Sequence, residues 1–310
     1  MPKVSIVLPV YNEQKYLELA IRSIAEQSYK DYEFLITQNG STDQSPEIIA
    51  RWAKQDPRIK VEIVEVNRGY LDALNGGLNK AQGQYIARMD GDDIALPDRL
   101  KKQVEFLDQN PDHVLVGTNV ANIDEEGDVY CDQPFPSSND ELVESLLSGN
   151  CGICHPTTMF RRSAIEQTGV YLQDMRGVED QDLWLRLAEI GKLANLPEVL
   201  LQYRVHSGNI SFEQETHAHQ VLRSMLRKAH ERRGLPLSEP ANPPTDKTTE
   251  FDRKLHWAWS AVHSGNHRTA RKHARRLLSS KPFSRSAWVL MTYALLGNRA
   301  ERIRKILGRS

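Results

Sequence analysis

The sequence contains few cysteines and no apolar run long enough to cross a membrane. Three cysteines among 310 residues do not form a disulfide framework, which is typical of a protein kept in a reducing compartment. The longest apolar run near the carboxyl terminus, residues 287–296, is about half the length that spans a bilayer. A strand-like segment, rather than a signal peptide, follows Met1 directly. We therefore expect a cytoplasmic protein.

Net charge is also small, but its distribution is uneven. The formal charge of the chain is −1, whereas residues 251–310 carry a balance of +12 and the remainder carries −13. A basic tail on an acidic body favours contact with an anionic surface, either membrane or nucleic acid. The tail lacks the interleaved aromatic residues of RNA-recognition motifs. The sequence therefore favours an anionic membrane and predicts no nucleic-acid partner.

Apolar segments alternate with amphipathic ones through the first ninety residues. The pattern predicts helices between strands at residues 3–10, 32–37, 59–66 and 84–89. Such alternation indicates βαβ units and an α/β fold with a mixed, mostly parallel sheet. Ligands bind beyond the carboxyl ends of strands in these sheets. Four loops are expected to converge there: residues 9–11, 38–40, 67–69 and 90–92.

An acidic cluster follows the strand predicted at 84–89. Asp90, Asp92 and Asp93 would repel one another unless a positive charge lay among them. Mg²⁺ and Mn²⁺ prefer oxygen ligands and usually share their coordination with phosphates. The alternative interpretation is a polar turn that caps the next helix, because Asp-Gly is common turn chemistry.

The second half of the chain is less regular. Strands are predicted at 113–123, 129–131, 156–160 and 196–203, a short helix at 140–147 and a long one at 213–233. Glu179 is expected to open a helix that continues through Ile190, with Leu183, Leu187 and Ile190 on one face.

Composition divides the chain into three parts. We expect a nucleotide-binding domain at 1–233, a proline-rich linker at 234–250 and an all-helical basic region at 251–310. Helices in that last region are predicted at 252–264, 267–280, 284–296 and 299–307. Ala258, Gly265, Ala270 and Pro282 fall at the spacing of a tetratricopeptide helix pair, although an ordinary helical hairpin accounts for them equally well.

Four segments together resemble the family-2 glycosyltransferases of GT-A fold. They are Val4–Glu13, Asn39–Asp43, Asp90–Asp93 and Glu179–Arg186, and the resemblance covers about residues 3–215. It implies an inverting transfer of one sugar from a nucleotide-sugar donor, supported by Mn²⁺ or Mg²⁺. Donor binding is then expected to involve Pro9, Val10, Tyr11, Glu13, Asn39, Arg68, Asn75, Asp90, Gly91 and Asp92.

The resemblance also implies individual roles. Asp90 would face the ribose and Asp92 would bind the metal. Residues 203–209 resemble the last motif of the family, called the closing motif, and its His206 would be a second contact to the metal or the diphosphate. Asp180 would be the base that takes the proton of the acceptor hydroxyl. His155, Glu179 and Trp184 would lie on the acceptor side. The carboxylates of Glu179 and Asp180 also suit a helix amino terminus for structural reasons alone.

One departure concerns the donor base. The family usually has two aspartates where this chain has Gln38 and Asn39. A carboxylate only accepts hydrogen bonds from uracil, whereas Asn39 can accept and also donate. A UDP-sugar remains the expected donor, but Asn39 also fits a different or weakened donor preference.

The run Cys151–His155 matches the CxxCH pattern of covalent haem attachment. Haem attachment requires export, which the start of the sequence does not indicate. His155 also belongs to a segment that resembles the acceptor side of the family, so we expect neither haem nor zinc.

The leading hypothesis is a glycosyltransferase on the inner face of the plasma membrane that acts on a lipid-linked or surface-polysaccharide acceptor. Two alternatives remain. The helical tail could bind a peptide in a protein-glycosylating transferase, or Asn39 could mark a non-catalytic scaffold that binds nucleotide-sugars.

Overall fold

The structure, a computed structural model, describes residues 1–206, 215–236 and 249–297, and for 215–219 it describes the backbone alone. The described residues form two compact units. The first unit contains 1–120, 134–203 and 215–236, and the second contains 121–133, 204–206 and 249–297. A hairpin arm from the middle of the chain thus belongs to the same unit as the carboxyl-terminal helices.

The chain begins with alternating strands and helices, as predicted. The strands are β1 Val4–Val10, β2 Tyr32–Asn39, β3 Ile59–Val64, β4 Tyr85–Arg88, β5 Ile94–Ala95, β6 His113–Ile123, β7 Val129–Gln133, β8 Met159–Arg161 and β9 Lys192–Arg204. The helices between them are α1 Leu17–Ala25, α2 Ser45–Gln55, α3 Tyr70–Lys80, α4 Arg99–Gln109, α5 Asn139–Leu147, α6 Arg162–Thr168 and α7 Glu179–Leu187. Helices α8 Glu215–Arg233, α9 Glu250–His263, α10 His267–Ser280 and α11 Arg285–Leu296 follow.

The strands form one mixed sheet in the order β3-β2-β1-β4-β8-β6-β9-β5, with β7 beside β6. The pairs β3-β2, β2-β1 and β1-β4 are parallel, whereas β4-β8, β8-β6 and β9-β5 are antiparallel. The predicted α/β class and mixed sheet are confirmed. Because the strand order reverses beside β1, a crevice is expected where β1 and β4 end.

Both faces of the sheet are covered by helices. Every side chain of β1 and β2 is buried, which explains why these strands read as continuous runs rather than alternating ones. On one face α1 contributes four buried side chains at the predicted spacing: Leu17, Ala20, Ile21 and Ile24. On the other face α3 packs Leu71, Leu74 and Leu78 into a core with Val7 and Leu35.

Three sequence predictions are wrong in detail. Helix α7 ends at Leu187 and Ile190 is 42% exposed, because the chain turns there into β9. At that turn a Cβ on Gly191 would lie 2.3 Å from Val114 Cγ1, so the packing is tight. Strand β8 covers only Met159–Arg161, since His155–Thr157 form a single turn of 3₁₀ helix. Strand β3 ends at Val64.

The second unit packs α9, α10 and α11 around a small core of its own. Alanines and leucines fill it: Ala258, Ala274, Leu277, Ala287 and Leu290. Thr249 caps α9 through a reciprocal box with Asp252, which fixes where that helix begins. The helices predicted at 252–264, 267–280 and 284–296 are confirmed. In the part of the chain that the structure describes, no helix is long and apolar enough to span a bilayer.

Some predictions fall outside the described residues. They are the helix at 299–307, most of the linker at 234–250, and residues 207–209 of the closing motif.

Candidate active site

The carboxyl ends of β1 and β4 bring three carboxylates together. A Cβ added to Gly91 would lie 3.1 Å from Glu13 Cγ, so the loop after β4 packs directly against the loop after β1. Burial and the charges of Asp92 and Asp90 raise the pKa of Glu13 to about 8. Burial also raises the pKa of Asp90. The structure therefore concentrates unfavourable negative charge at the predicted position.

Hydrogen bonds to the loop after β2 hold the turn that contains Glu13. Asn12 adopts a left-handed conformation with φ of 56°, and its side-chain oxygen accepts from the Thr42 backbone N–H at 2.9 Å. The backbone N–H of Glu13 donates to Ser45 Oγ at 2.9 Å. Two of the predicted loops thus form one structure, with the Tyr11 side chain 46% exposed beside them.

Pro9 and Val10 are the last residues of β1, paired with Thr37 and Gln38 of β2. Both side chains are buried. Their contribution to a bound donor would therefore come from the backbone and from the shape of the strand end.

A buried arginine behind the acidic cluster was not predicted. Arg88 is 1% exposed and donates to the Tyr70 hydroxyl, to Asp90 Oδ1 and to the Met89 carbonyl. A buried charge is tolerated only when it is paired and hydrogen-bonded, and Arg88 meets both conditions. Arg99, also fully buried, donates to the Arg88 carbonyl at 2.6 Å. The sequence signal was a charged residue inside an apolar strand.

Glu179 and Asp180, the second of which is the predicted base, open α7. Asp180 Oδ1 accepts from the Gln181 backbone N–H at 2.8 Å, and Glu179 Oε2 accepts from the Gly177 N–H at 2.5 Å. Burial and then the charge of Glu179 raise the pKa of Asp180 to about 7. A carboxylate with a pKa near neutrality is suited to accept a proton from a hydroxyl group.

The acidic cluster and the pair Glu179 and Asp180 act electrostatically on the same two half-buried side chains, Tyr70 and Cys154. Burial raises the pKa of the Tyr70 hydroxyl, and the charges of Asp90 and Glu179 raise it further. Burial raises the pKa of the Cys154 thiol, to which Asp90 and Asp180 also contribute. The two groups of carboxylates therefore lie within electrostatic reach of the same side chains.

Trp184 supports this site from within the core. It is fully buried and packs its ring 5.7 Å from His155, 6.4 Å from Tyr171 and 6.3 Å from Phe160. His155 Nε2 lies 2.8 Å from the Tyr171 hydroxyl, and burial holds the pKa of His155 well below its usual value. In this arrangement Trp184 positions a neutral His155 and presents no surface of its own to an acceptor.

The Asn39 side chain forms its hydrogen bonds with the loop after β3. It is 2% exposed, and its amide donates to Asn67 Oδ1 and to the Gly69 carbonyl, both at 3.0 Å. Its oxygen accepts from the Arg68 backbone N–H at 3.1 Å. An aspartate cannot make the two donations. The departure from the family pattern therefore has a structural role that the sequence did not indicate.

Asn75 is likewise used within the fold. Its amide donates to the Tyr171 carbonyl at 2.9 Å and its oxygen accepts from the Tyr171 N–H at 3.1 Å. These bonds tie α3 to the segment before α7. Contact between Asn75 and a donor remains a prediction.

The donor set suits a hard divalent cation, although within residues 1–206, 215–236 and 249–297 no three histidine, cysteine or acidic side chains are arranged to hold one. Burial raises the pKa of Glu13 most, and the charges of Asp92 and Asp90 raise it further; a cation beside these carboxylates would oppose that second effect. His206 belongs to the second unit, where it lines a cavity. Its role as a metal ligand remains a prediction.

Comparison with known proteins identifies the family. The profile described as "Glycosyl transferase family 2" matches residues 5–169. The putative glycosyltransferase EpsE of Bacillus subtilis is 35% identical over 243 residues, which cover 77% of this chain and 85% of that protein. The O-antigen biosynthesis glycosyltransferase WbnJ of Escherichia coli is 36% identical over 209 residues, which cover 66% and 80% respectively.

Two solved structures, both in complex with nucleotide-sugars, share the fold. TarS of S. aureus, residues 1–349 in complex with UDP-GlcNAc, superposes with a TM-score of 0.62 at 17% identity, covering 94% of this chain and 79% of that one. The mannosyltransferase PcManGT of Pyrobaculum calidifontis, in complex with GDP-Man and Mn2+, gives 0.57 at 18% identity, covering 100% and 88%. With the profile and relatives above, the chain is an enzyme that belongs to glycosyl transferase family 2.

Proposed function

We propose that this enzyme transfers one sugar from a UDP-sugar to a hydroxyl of a glycan acceptor, with inversion at the anomeric carbon. The observation that carries the proposal is the pairing of two acidic groups in one site. One group, at the ends of β1 and β4, suits a cation and a diphosphate. The other contains Asp180, whose pKa of about 7 suits a base.

Different residues of the chain would have different roles in the reaction. Asp180 removes the proton of the acceptor hydroxyl as that oxygen attacks the anomeric carbon. A single base opposite the leaving group implies one in-line displacement. Arg88, anchored by Tyr70, holds Asp90 in place for the ribose. Glu13 and the neutral His155 border the reacting groups.

A divalent cation, Mn²⁺ or Mg²⁺, would supply charge compensation for the departing diphosphate. Asp92 would hold it, with Glu13 and Asp90 nearby, because carboxylate oxygens are the ligands these ions prefer. The Mn2+ in the PcManGT structure supports the same expectation.

Names of the relatives favour a surface-polysaccharide acceptor. WbnJ is named for O-antigen biosynthesis, and the 33% identical AmsE of Erwinia amylovora for amylovoran biosynthesis. The donor base is a finer proposal, since one structural neighbour holds UDP-GlcNAc and the other GDP-Man. We favour a UDP-sugar, which the family resemblance implies and which the TarS structure holds as UDP-GlcNAc.

We place the enzyme in the cytoplasm, peripherally on an anionic membrane, where a lipid-linked acceptor would be reached. Helix α11 supports this proposal because Trp288 and Leu295 are 56% and 62% exposed. Trp257 and Ala261, which the sequence suggested alongside them, pack inside the second unit instead.

A thermal-shift panel of UDP-, GDP-, dTDP- and CDP-sugars with Mn²⁺ tests the proposal. A ligand at one hundred times its Kd adds about 2.7 kcal/mol to the stability of the folded state. We expect UDP-sugars to stabilise the enzyme, EDTA to remove the effect, and Asp92→Ala to abolish it. If UDP-sugars stabilise Asp92→Ala as much as they stabilise the wild type, both with and without EDTA, the metal site is refuted.

A further inference from the structure

The second unit contains a cavity of about 350 Å³. Three aromatic side chains from two elements line it: Tyr130 from β7, and Phe251 and Trp257 from α9. The rings of Tyr130 and Trp257 lie 6.2 Å apart and are tilted by 46°. Mostly apolar cavities of this size with a few polar groups are typical ligand sites, with room for roughly one or two sugar rings.

Cations surround these aromatic walls. Lys254 pairs with Glu250 at 2.6 Å, and Arg276 forms two hydrogen bonds to Glu126 at 3.0 and 2.9 Å. Lys281 lies over the Phe251 ring, 4.4 Å from its centroid, and has no carboxylate in ion-pair contact among the described residues. An anionic ligand would therefore find an available ammonium group at Lys281.

Carboxylates complete the lining. Glu125 and Glu250 border the same cavity as the three cations. Carboxylate oxygens accept hydrogen bonds from hydroxyl groups, which a lipid tail or an apolar peptide does not offer. Aromatic faces, hydroxyl acceptors and a cation together match a sugar ring that carries a negative charge.

The wall of the cavity is fixed by a buried network. His273 Nε2 donates to Asp124 Oδ2 at 2.7 Å and lies 3.0 Å from the Tyr130 hydroxyl. All three residues are less than a tenth exposed. Because these side chains are already held in place, little conformational entropy is lost when the cavity binds a ligand.

We propose that this cavity binds a saccharide unit bearing an anionic group, a uronate carboxylate or a phosphate, within the acceptor glycan. The inference rests on the proposed function, in which the acceptor is a glycan that has units beyond the one that reacts. Aromatic rings pack the apolar face of the pyranose, and Lys281 pairs with the anion.

Titration calorimetry of the full-length enzyme with EDTA present tests the inference. The probes are digalacturonic acid, glucose 1-phosphate and neutral cellobiose. We expect at least one acidic probe to bind, and cellobiose to bind about ten-fold more weakly, the usual effect of one charge-assisted contact. Binding of digalacturonic acid alone assigns a uronate, and binding of glucose 1-phosphate alone assigns a phosphate. Equal affinity for cellobiose, or no binding of any probe, overturns the inference.

Lys281→Glu separates this cavity from the donor site. We expect it to weaken the acidic probe about ten-fold or more. Arg268→Glu, the same charge reversal at an exposed α10 position outside the cavity, should leave binding unchanged. An equal loss in both variants, or in neither, overturns the inference. The donor thermal shift is read in parallel: if UDP-sugars stabilise the enzyme while no saccharide binds, only the cavity assignment fails, whereas an absent donor shift refutes the proposed function.

Discussion

Among single residues, Asp180 has the most demanding of the proposed roles. We expect Asp180→Asn to keep donor binding but to lower the transfer rate by about 10²–10⁴-fold, the usual contribution of a positioned base. Steady-state kinetics would show the loss in kcat with little change in the KM for the donor. If transfer persists within a few-fold of wild type, another group is the base.

The pH dependence of transfer follows from the same carboxyl group. A protonated Asp180 cannot accept a proton, so with a pKa of about 7 the rate should fall as pH drops below neutrality. Because the charge of Glu179 raises the pKa of Asp180, Glu179→Gln should shift the profile to lower pH. A profile that is flat between pH 6 and about 8 in both proteins would contradict the assignment.

Asn39 allows a structural prediction. Asn39→Asp would place a carboxylate against Asn67 Oδ1 and the Gly69 carbonyl, which now accept its two donations. We expect a loss of about 1–3 kcal/mol in the free energy of unfolding, measured by chemical denaturation. Gln38→Glu is the matched control, because Gln38 Oε1 only accepts, from the Gly40 N–H at 2.8 Å, and a carboxylate retains that bond. Equal losses in the two variants would refute this account.

Local sequence patterns located the acidic residues that the structure brings together, but they did not reveal the side chains that surround them. Asp90, Asp92 and the 179–180 pair follow strand or helix boundaries that local patterns reveal. Arg88 looked like part of a strand, and its contacts with Tyr70 and Arg99 depend on long-range packing that no local pattern encodes. The hydrogen bond from the Asn75 amide to the Tyr171 carbonyl, 96 residues away in the sequence, could not be predicted for the same reason.

At the level of elements, a turn in the β6–β7 hairpin anchors α10. Asp124 is 1% exposed and accepts from His273 and from the Glu126 and Asp128 backbone N–H groups. Lys272 pairs with Asp124 as well as with Glu126 and Asp128. These ion pairs join the turn of the β6–β7 hairpin to α10, and the two segments lie about 150 residues apart in the sequence.

We expect Asp124→Asn to destabilise the second unit by about 1–3 kcal/mol, because it removes the charge from the buried oxygens that accept from His273 and Lys272. Thermal unfolding would measure the loss. Asp132→Asn removes the same charge from an exposed position in the same hairpin and should change little. An equal effect of both substitutions would show that the network is not what holds α10.

Acid should weaken the same contact. Burial opposes ionisation of Asp124, yet hydrogen bonds from His273 and Lys272 hold its pKa well below the ordinary value of 3.8. Hydrogen bonding from Arg276 lowers the pKa of Glu126 to about 2. Groups with depressed pKa values stabilise the fold above their ordinary pKa and lose that contribution as pH falls. Stability of the second unit should therefore decline from about pH 4 towards pH 2, and less steeply in Asp124→Asn.

Sequence patterns predicted the type of most helices and strands, but they predicted some boundaries less well. The continuous run of β1 and the spacing within α1 gave the correct element type, because burial imposes these patterns directly. The end of α7 was misjudged because Ile190 continues the apolar spacing, although the chain turns there through Gly191. Strands β6 and β7 were correctly predicted, but the membership of their hairpin in the second unit depends on contacts with α10.

For the whole molecule, the uneven charge predicts a salt-sensitive association with anionic membranes. We expect the enzyme to sediment with phosphatidylglycerol vesicles at low salt and to be released as salt shortens the Debye length. Trp288→Ser should reduce binding several-fold, because an interfacial tryptophan is lost. Ile63→Ser removes an apolar side chain that is 74% exposed in the first unit and serves as the control. Failure of the wild type to sediment at low salt refutes the membrane proposal.

The central claim is an inverting transfer at the site formed by β1, β4 and α7. It is tested most directly by following hydrolysis of an α-linked UDP-sugar by proton NMR, with Mn²⁺ and with water as the acceptor. The first anomer released reports the stereochemistry before mutarotation mixes the two forms. We predict that the β anomer appears first and that Asp180→Asn releases little sugar. Initial release of the α anomer, or release unaffected by loss of Asp180, would contradict the account.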